Sequence, residues 1–141
     1  MPSSFDKIVS GFISYWRVGL EAASEELFTE GWALYDLLED DPKLAWEAIK
    51  VVVGHYTEED LFSKIRTEAQ VVVGQLAAGP LEDLLSERGA EFISEIEQEA
   101  RKDRRFRWAL GGVWQSTTPD NLWARVQKVA DYSYWERPSP K

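Results

Sequence analysis

Apolar side chains recur three and four residues apart along almost the whole chain, a spacing that puts them on one face of an α-helix. Phe5, Ile8, Val9, Phe12, Ile13 and Trp16 form the first stripe, with Ser3 or Ser4 placed as its N-cap. Ser24 caps a second helix, with Glu25 and Glu26 in the turn where the helix dipole favours anions. Its stripe is Leu27, Phe28, Trp32, Tyr35 and Leu38. That helix stops at "EDDP", where Asp41 caps a third helix and Pro42 opens it, a position that needs no N–H donor. Ala45, Ile49, Val52 and Val53 line the third helix. Thr57 and Asp60 resemble a capping box, with Asp in place of the usual Glu or Gln. Leu61, Phe62, Ile65, Ala69, Val72, Val73 and Leu76 keep the period beyond it, so one long helix is expected there. The valine runs at 51–53 and 71–73 would suit strands in isolation, but their flanks hold the helical period.

The stretch "LAAGPLEDLLSERG" (76–89) reads as punctuation between helices. Gly79 stands where a left-handed C-cap is wanted and Pro80 where a first helical residue is wanted. Leu81, Leu84 and Leu85 then share a face, and Gly89 ends a short helix. A phosphate-binding loop would need several converging glycine N–H groups, and Glu82 and Asp83 would repel the anion. Phe92, Ile93, Ile96 and Ala100 make the next stripe. Asp103 caps a helix carrying Phe106, Ala109, Leu110, Val113 and Trp114. Thr118, Pro119 and Asp120 start the last, through Leu122, Trp123, Val126 and Val129. The pattern predicts an all-α fold of about eight short-to-medium antiparallel helices, packed as a compact bundle or a short α-solenoid. Residues 1–130 form a single helical domain in this reading, and 131–141 a C-terminal tail with little to hold it.

Composition narrows the chemistry. The 141 residues suit one domain that buries roughly two-thirds of its unfolded surface. Cysteine is absent, which removes disulfides, thiol catalysis and the commonest structural zinc ligand. No stretch approaches the ~20 apolar residues of a membrane span. The first residues lack the charged start and continuous apolar centre of a signal peptide, so a cytoplasmic location is expected. Net charge is −9, unevenly distributed: residues 1–100 carry 7 Lys and Arg against 21 Asp and Glu, and residues 101–141 carry 9 against 4. Such a field repels phosphate backbones and anionic membranes and attracts basic proteins.

The segments "DDPKLAWEAI", "GPLEDLLSERG", "FISEIEQEARKDRRFRWALGGVWQ" and "LWARV" resemble a bacterial family of small helical proteins described as a domain of unknown function, over roughly residues 30–127. The resemblance implies fold continuity and a bacterial source; it brings no activity, cofactor or catalytic residue.

Candidate chemistry is sparse. His55 follows Gly54 at a helix end, without a nucleophile in a recognisable setting. Glu39, Asp40 and Asp41 lack the spaced pattern of a calcium loop and are accounted for by helix punctuation, so no metal and no cofactor is expected. The basic run Arg101, Arg104, Arg105 and Arg107 is read as the counter-charge of acidic helix positions such as Glu95, Glu97 and Glu99, with a nucleic-acid patch beside Trp108 as the alternative. Gly111 and Gly112 predict either close helix packing or the floor of a groove walled by Trp108, Trp114 and Trp123. Two functions follow. The first is a non-enzymatic acidic domain that binds a basic protein through Glu30, Asp36, Glu39, Asp40 and Asp41, as a bacterial immunity or antitoxin-type inhibitor does. The second is a small-molecule or peptide-binding helical module that uses the tryptophan groove. An enzyme is not expected.

Overall fold

The computed structural model describes residues 4–18 and 24–135, which are helical with short connections and contain no strand. The helices are α1 (Ser4–Val18), α2 (Glu25–Asp40), α3 (Pro42–Gly54), α4 (Glu58–Leu61), α5 (Glu68–Leu76), α6 (Glu82–Lys102), α7 (Arg104–Gly111) and α8 (Asp120–Val129). The expected caps of α2, α3, α4 and α7 are in place. Ser24, Asp41 and Thr57 accept backbone N–H bonds from Leu27, Leu44 and Asp60, and Asp103 accepts one from Arg105. Ser4 opens α1, and Ser3, the other candidate cap, lies outside the described residues, as do residues 136–141 of the expected tail.

Helices α3, α5 and α7 supply the interior, and a single apolar cluster runs through them from Val9 on α1 to Val126 on α8. The α1–α2 pair covers one side and α6 with α8 the other. Because α1 touches α5 and α3 touches α7, elements distant in sequence share one core. A solenoid, in which each unit meets only its neighbours, does not have that pattern; a compact bundle does.

Three expected boundaries move. First, the long helix after Thr57 is broken between α4 and α5, and Ile65 on the connection is 79% exposed. Thr67 starts α5 with a reciprocal capping box: its hydroxyl accepts the Gln70 N–H, and the Gln70 side chain accepts the Thr67 N–H. The buried Gln70 amide then donates to the carbonyls of Leu61 (3.1 Å) and Ser63 (2.8 Å), so the break satisfies its own backbone groups.

Second, Gly79 and Pro80 do not separate two helices. The chain passes from α5 into α6 through a π turn, Ala77–Leu81, and Gly79 is not in the left-handed conformation. A wide turn tolerates the missing N–H and the ring of Pro80. Third, the helix end expected at Gly89 falls one residue earlier, at a kink instead of a left-handed cap: two helical segments of α6 meet at Arg88, which is non-helical (φ −137°, ψ 26°), and Gly89 is buried beside Leu122.

Residues 131–135 are better held than their composition suggests. The Asp131 N–H donates to the Arg107 carbonyl, and the Trp135 indole N–H donates to the Trp108 carbonyl at 2.9 Å. The Trp135 ring lies 4.7 Å from that of Trp108 and fills the space where Gly111 and Gly112 lack a β-carbon. Residues 131–135 are therefore a strap across α7, not a loose tail.

Gln70→Ala should cost about 2–4 kcal/mol in urea unfolding, because the buried Leu61 carbonyl, the part-buried Ser63 carbonyl and the Thr67 N–H lose their partner at once. Gln70→Glu, which keeps the acceptor and the size but loses the amide donors, should recover little of that loss.

Candidate functional site

Helix α2 carries two interleaved series at helical spacing. Gly31, Leu34 and Leu38 are buried and face the core. Phe28, Trp32 and Tyr35 lie on the neighbouring flank, where Phe28 is 50% and Trp32 37% exposed and so outside the core stripe that the pattern predicts, while half-buried Tyr35 packs against the core. Their centroids are 5.6 Å apart from Phe28 to Trp32 and 4.4 Å from Trp32 to Tyr35, a ladder continued underneath by buried Tyr15, 5.8 Å from Phe28. Gly31 makes this possible, since a β-carbon there would overlap the Tyr15 side chain.

Carboxylates border the ladder. Helical geometry sets Glu25 three residues before Phe28, Asp36 four after Trp32 and Glu39 four after Tyr35, positions whose β-carbons are ~5–6 Å apart. Asp40 continues the outer edge. All are exposed, α2 holds no Lys or Arg, and none of these groups forms an ion pair with a described residue. Glu39 and Asp40 sit in the last turn, where the dipole disfavours anions. The five expected binding residues are thus not all together. Asp36, Glu39 and Asp40 share the aromatic side. Glu30 is turned about 120° from Asp36 and about 180° from Glu39, toward α1. Asp41 is bound into the α3 cap.

A close approach to glycine backbone seats the ladder from behind. The Tyr35 hydroxyl abuts Gly79 in the π turn, a position that a β-carbon would occupy. Burial, with the Asp83 carboxylate and Tyr15 nearby, pushes the Tyr35 phenol up to about 12. Burial also raises Asp83, helped by Glu87 and Glu82. The Tyr15 hydroxyl and the Trp16 indole N–H, both buried, have no hydrogen-bond partner among the described residues.

The basic run is arranged differently. The Arg105 guanidinium bonds Asp103 twice and donates to the carbonyls of Gly54 (3.2 Å) and Tyr56 (2.9 Å), tying α7 to the end of α3. Burial tends to raise Asp103, but the Arg105 hydrogen bonds outweigh it and hold the carboxyl below its usual range. Arg107 donates to the Ala100 carbonyl (2.6 Å), Arg104 pairs with Glu58 (3.5 Å), and Lys102 pairs with Glu99 (3.2 Å). A hydrogen bond from Arg125 (Nε to Oε2, 3.0 Å) lowers Glu97, and the Arg101 charge adds to that. Arg101, Lys102, Arg104, Arg105 and Arg107 line a concavity of about 680 Å³ at the α6–α7 corner, with Glu58, Glu99 and Asp103 among its walls. Among the described residues none of the four arginines of the run forms the expected ion pair with Glu95, Glu97 or Glu99: Glu97 pairs with Arg125 and Glu99 with Lys102, while Glu58 and Asp103 take Arg104 and Arg105.

The remaining candidates separate. His55 is exposed at the end of α3, its ring edge-on to Tyr56 at 4.8 Å. Among the described residues no three His, Cys, Asp or Glu side chains are grouped to hold a metal ion. The tryptophan groove does not form as expected. Trp108 is fully buried, Trp135 covers the two glycines, α7 ends at Gly111, and Trp114 is 58% exposed beyond it with its N–H bonded to Glu82. Trp123 is half-buried on α8.

Because the folded state raises Asp83, its ionised form opposes folding. Stability from this group is full below the ordinary Asp value and is lost as pH rises through the raised one. Asp83→Asn should therefore raise the melting temperature by ~2–4 °C at pH 7 and leave it unchanged near pH 3, as followed by circular dichroism.

No curated protein and no solved structure matches the chain. A model of the family of unknown function DUF6869 matches residues 21–134, which take in α2 through to the strap, a wider span than the motifs delimit. The chain belongs to that family.

Proposed function

We propose that this chain is a non-enzymatic protein-binding module that docks a basic protein on the outer face of α2. The partner fits the description of a toxin held inactive, as by a bacterial immunity protein or antitoxin in the cytoplasm, and the interaction needs no cofactor, nucleic acid or membrane. One observation carries this reading: Phe28 and Trp32 are exposed side by side within a border of carboxylates that form no ion pair with a cation among the described residues. Interfaces concentrate their binding energy in aromatic anchors, and complementary charge around such anchors speeds encounter. The acidic last turn of α2 points the same way, because carboxylates at that end weaken the helix and a cationic partner would relieve them. The wider negative field of residues 1–100 disfavours phosphate-bearing partners.

The test uses the full chain as bait in a lysate of its source cells, at low and at high salt. A basic protein should be retained at low salt, and the triple variant Asp36→Asn, Glu39→Gln, Asp40→Asn should slow its association by about tenfold. The same variant should melt ~1–3 °C higher, since it removes anions from the wrong end of a helix. Recovery of no partner at low salt, or a partner indifferent to the three substitutions, removes the proposal.

A further inference from the structure

The geometry of α2 points to a specific group on the partner, an inference that rests on the docking reading above. We propose that the face receives an arginine side chain of a basic protein segment, its guanidinium plane laid on the Phe28–Trp32 rings and its N–H groups turned to Asp36. Three lines of physical chemistry meet here. The exposed rings offer π faces, on which a guanidinium stacks better than an ammonium because it is planar and less strongly hydrated. Asp36, four residues after Trp32, stands at the edge of those rings, where the donor fork of an arginine can reach it while stacked, and Glu39 extends the negative border one turn further on. The chain also builds this arrangement within itself: Arg104 lies 4.2 Å over the Phe62 ring while pairing with Glu58. It seats a lysine on a ring as well, Lys50 over Trp46 beside Glu47, but at the longer distance of 5.1 Å.

Other occupants fit less well. A second copy of this chain would bring the same carboxylates face to face across a two-fold axis. An anionic lipid surface would meet the same border with its own negative charge. A purely apolar segment would leave that border unanswered.

Hexa-arginine and hexa-lysine peptides, titrated into the full chain by calorimetry at about 50 mM salt, separate the alternatives. Hexa-arginine should bind about fivefold more tightly than hexa-lysine. That preference should shrink below about twofold in Phe28→Leu and in Trp32→Leu, which keep apolar bulk on an exposed surface but remove the π face. The Asp36→Asn, Glu39→Gln, Asp40→Asn variant should weaken both peptides. Equal affinity for the two peptides, or an arginine preference that survives both leucine variants, overturns the arginine assignment. If the charge variant still weakens binding in that case, the docking face itself stands. If neither peptide binds, or the charge variant binds as well as the parent, both proposals fall.

Discussion

Aromatic rings seated on glycine backbone hold this molecule together at three points. Tyr15 of α1 lies on Gly31 of α2, Tyr35 of α2 reaches Gly79 in the π turn, and Trp135 of the strap covers Gly111 and Gly112 at the end of α7. At each point a β-carbon would overlap the ring, so the glycine sets how close two elements come. A large ring at such a distance makes many dispersion contacts at once and can carry a polar tip to a partner, as the Trp135 indole does at the Trp108 carbonyl. The joints are far apart in sequence and join α1 to α2, α2 to the α5–α6 turn, and the chain end to α7.

That device explains which parts of the fold were legible beforehand. The caps at Ser24, Asp41, Thr57 and Asp103 are local, a side chain bonding an N–H two or three residues on, and they read correctly from spacing. A glycine has two unrelated uses, left-handed turns and close approach, and only the second applies at Gly79, where it depends on Tyr35, which the local sequence cannot reveal. At Gly89 the spacing marks a true boundary, the kink at Arg88, but not the packing against Leu122. The break between α4 and α5 was legible in principle. "TEAQ" at 67–70 is a Thr-x-x-Gln capping signature, outweighed by an unbroken apolar period that Ile65 only appears to continue. Trp135 was not legible, since nothing near it in the chain shows the glycine pair it covers.

The site divides along the same line. The acidic residues of α2 were identified by type, and their exposure follows from the helix pattern. The aromatic partners on the same surface were assigned to the core because Phe28, Trp32 and Tyr35 keep helical spacing. A closer count separates the series 31, 34, 38 from 28, 32, 35, one step round the helix, and only the first is interior. Opposite charges also meet opposite fates. Arg104, Arg105, Arg107 and Lys102 are engaged by carboxylates and helix-end carbonyls of the chain itself, whereas the α2 carboxylates meet no described cation.

The exposed ladder gains its significance from being held on both flanks. Tyr15 supports Phe28 from α1, and Tyr35 anchors the other end in the π turn, where Pro80 and the wide backbone leave little room to shift. Rings fixed this way lose little freedom when something binds them, and ordering cost is a large part of what opposes association. The same anchoring links the face to the interior: Tyr35 contacts the turn that also feeds α6, beside Asp83, whose ionisation the fold resists. A surface of flexible acidic side chains alone would steer a basic partner without holding it. Rigid rings placed among those carboxylates provide the short-range contact that converts encounter into residence.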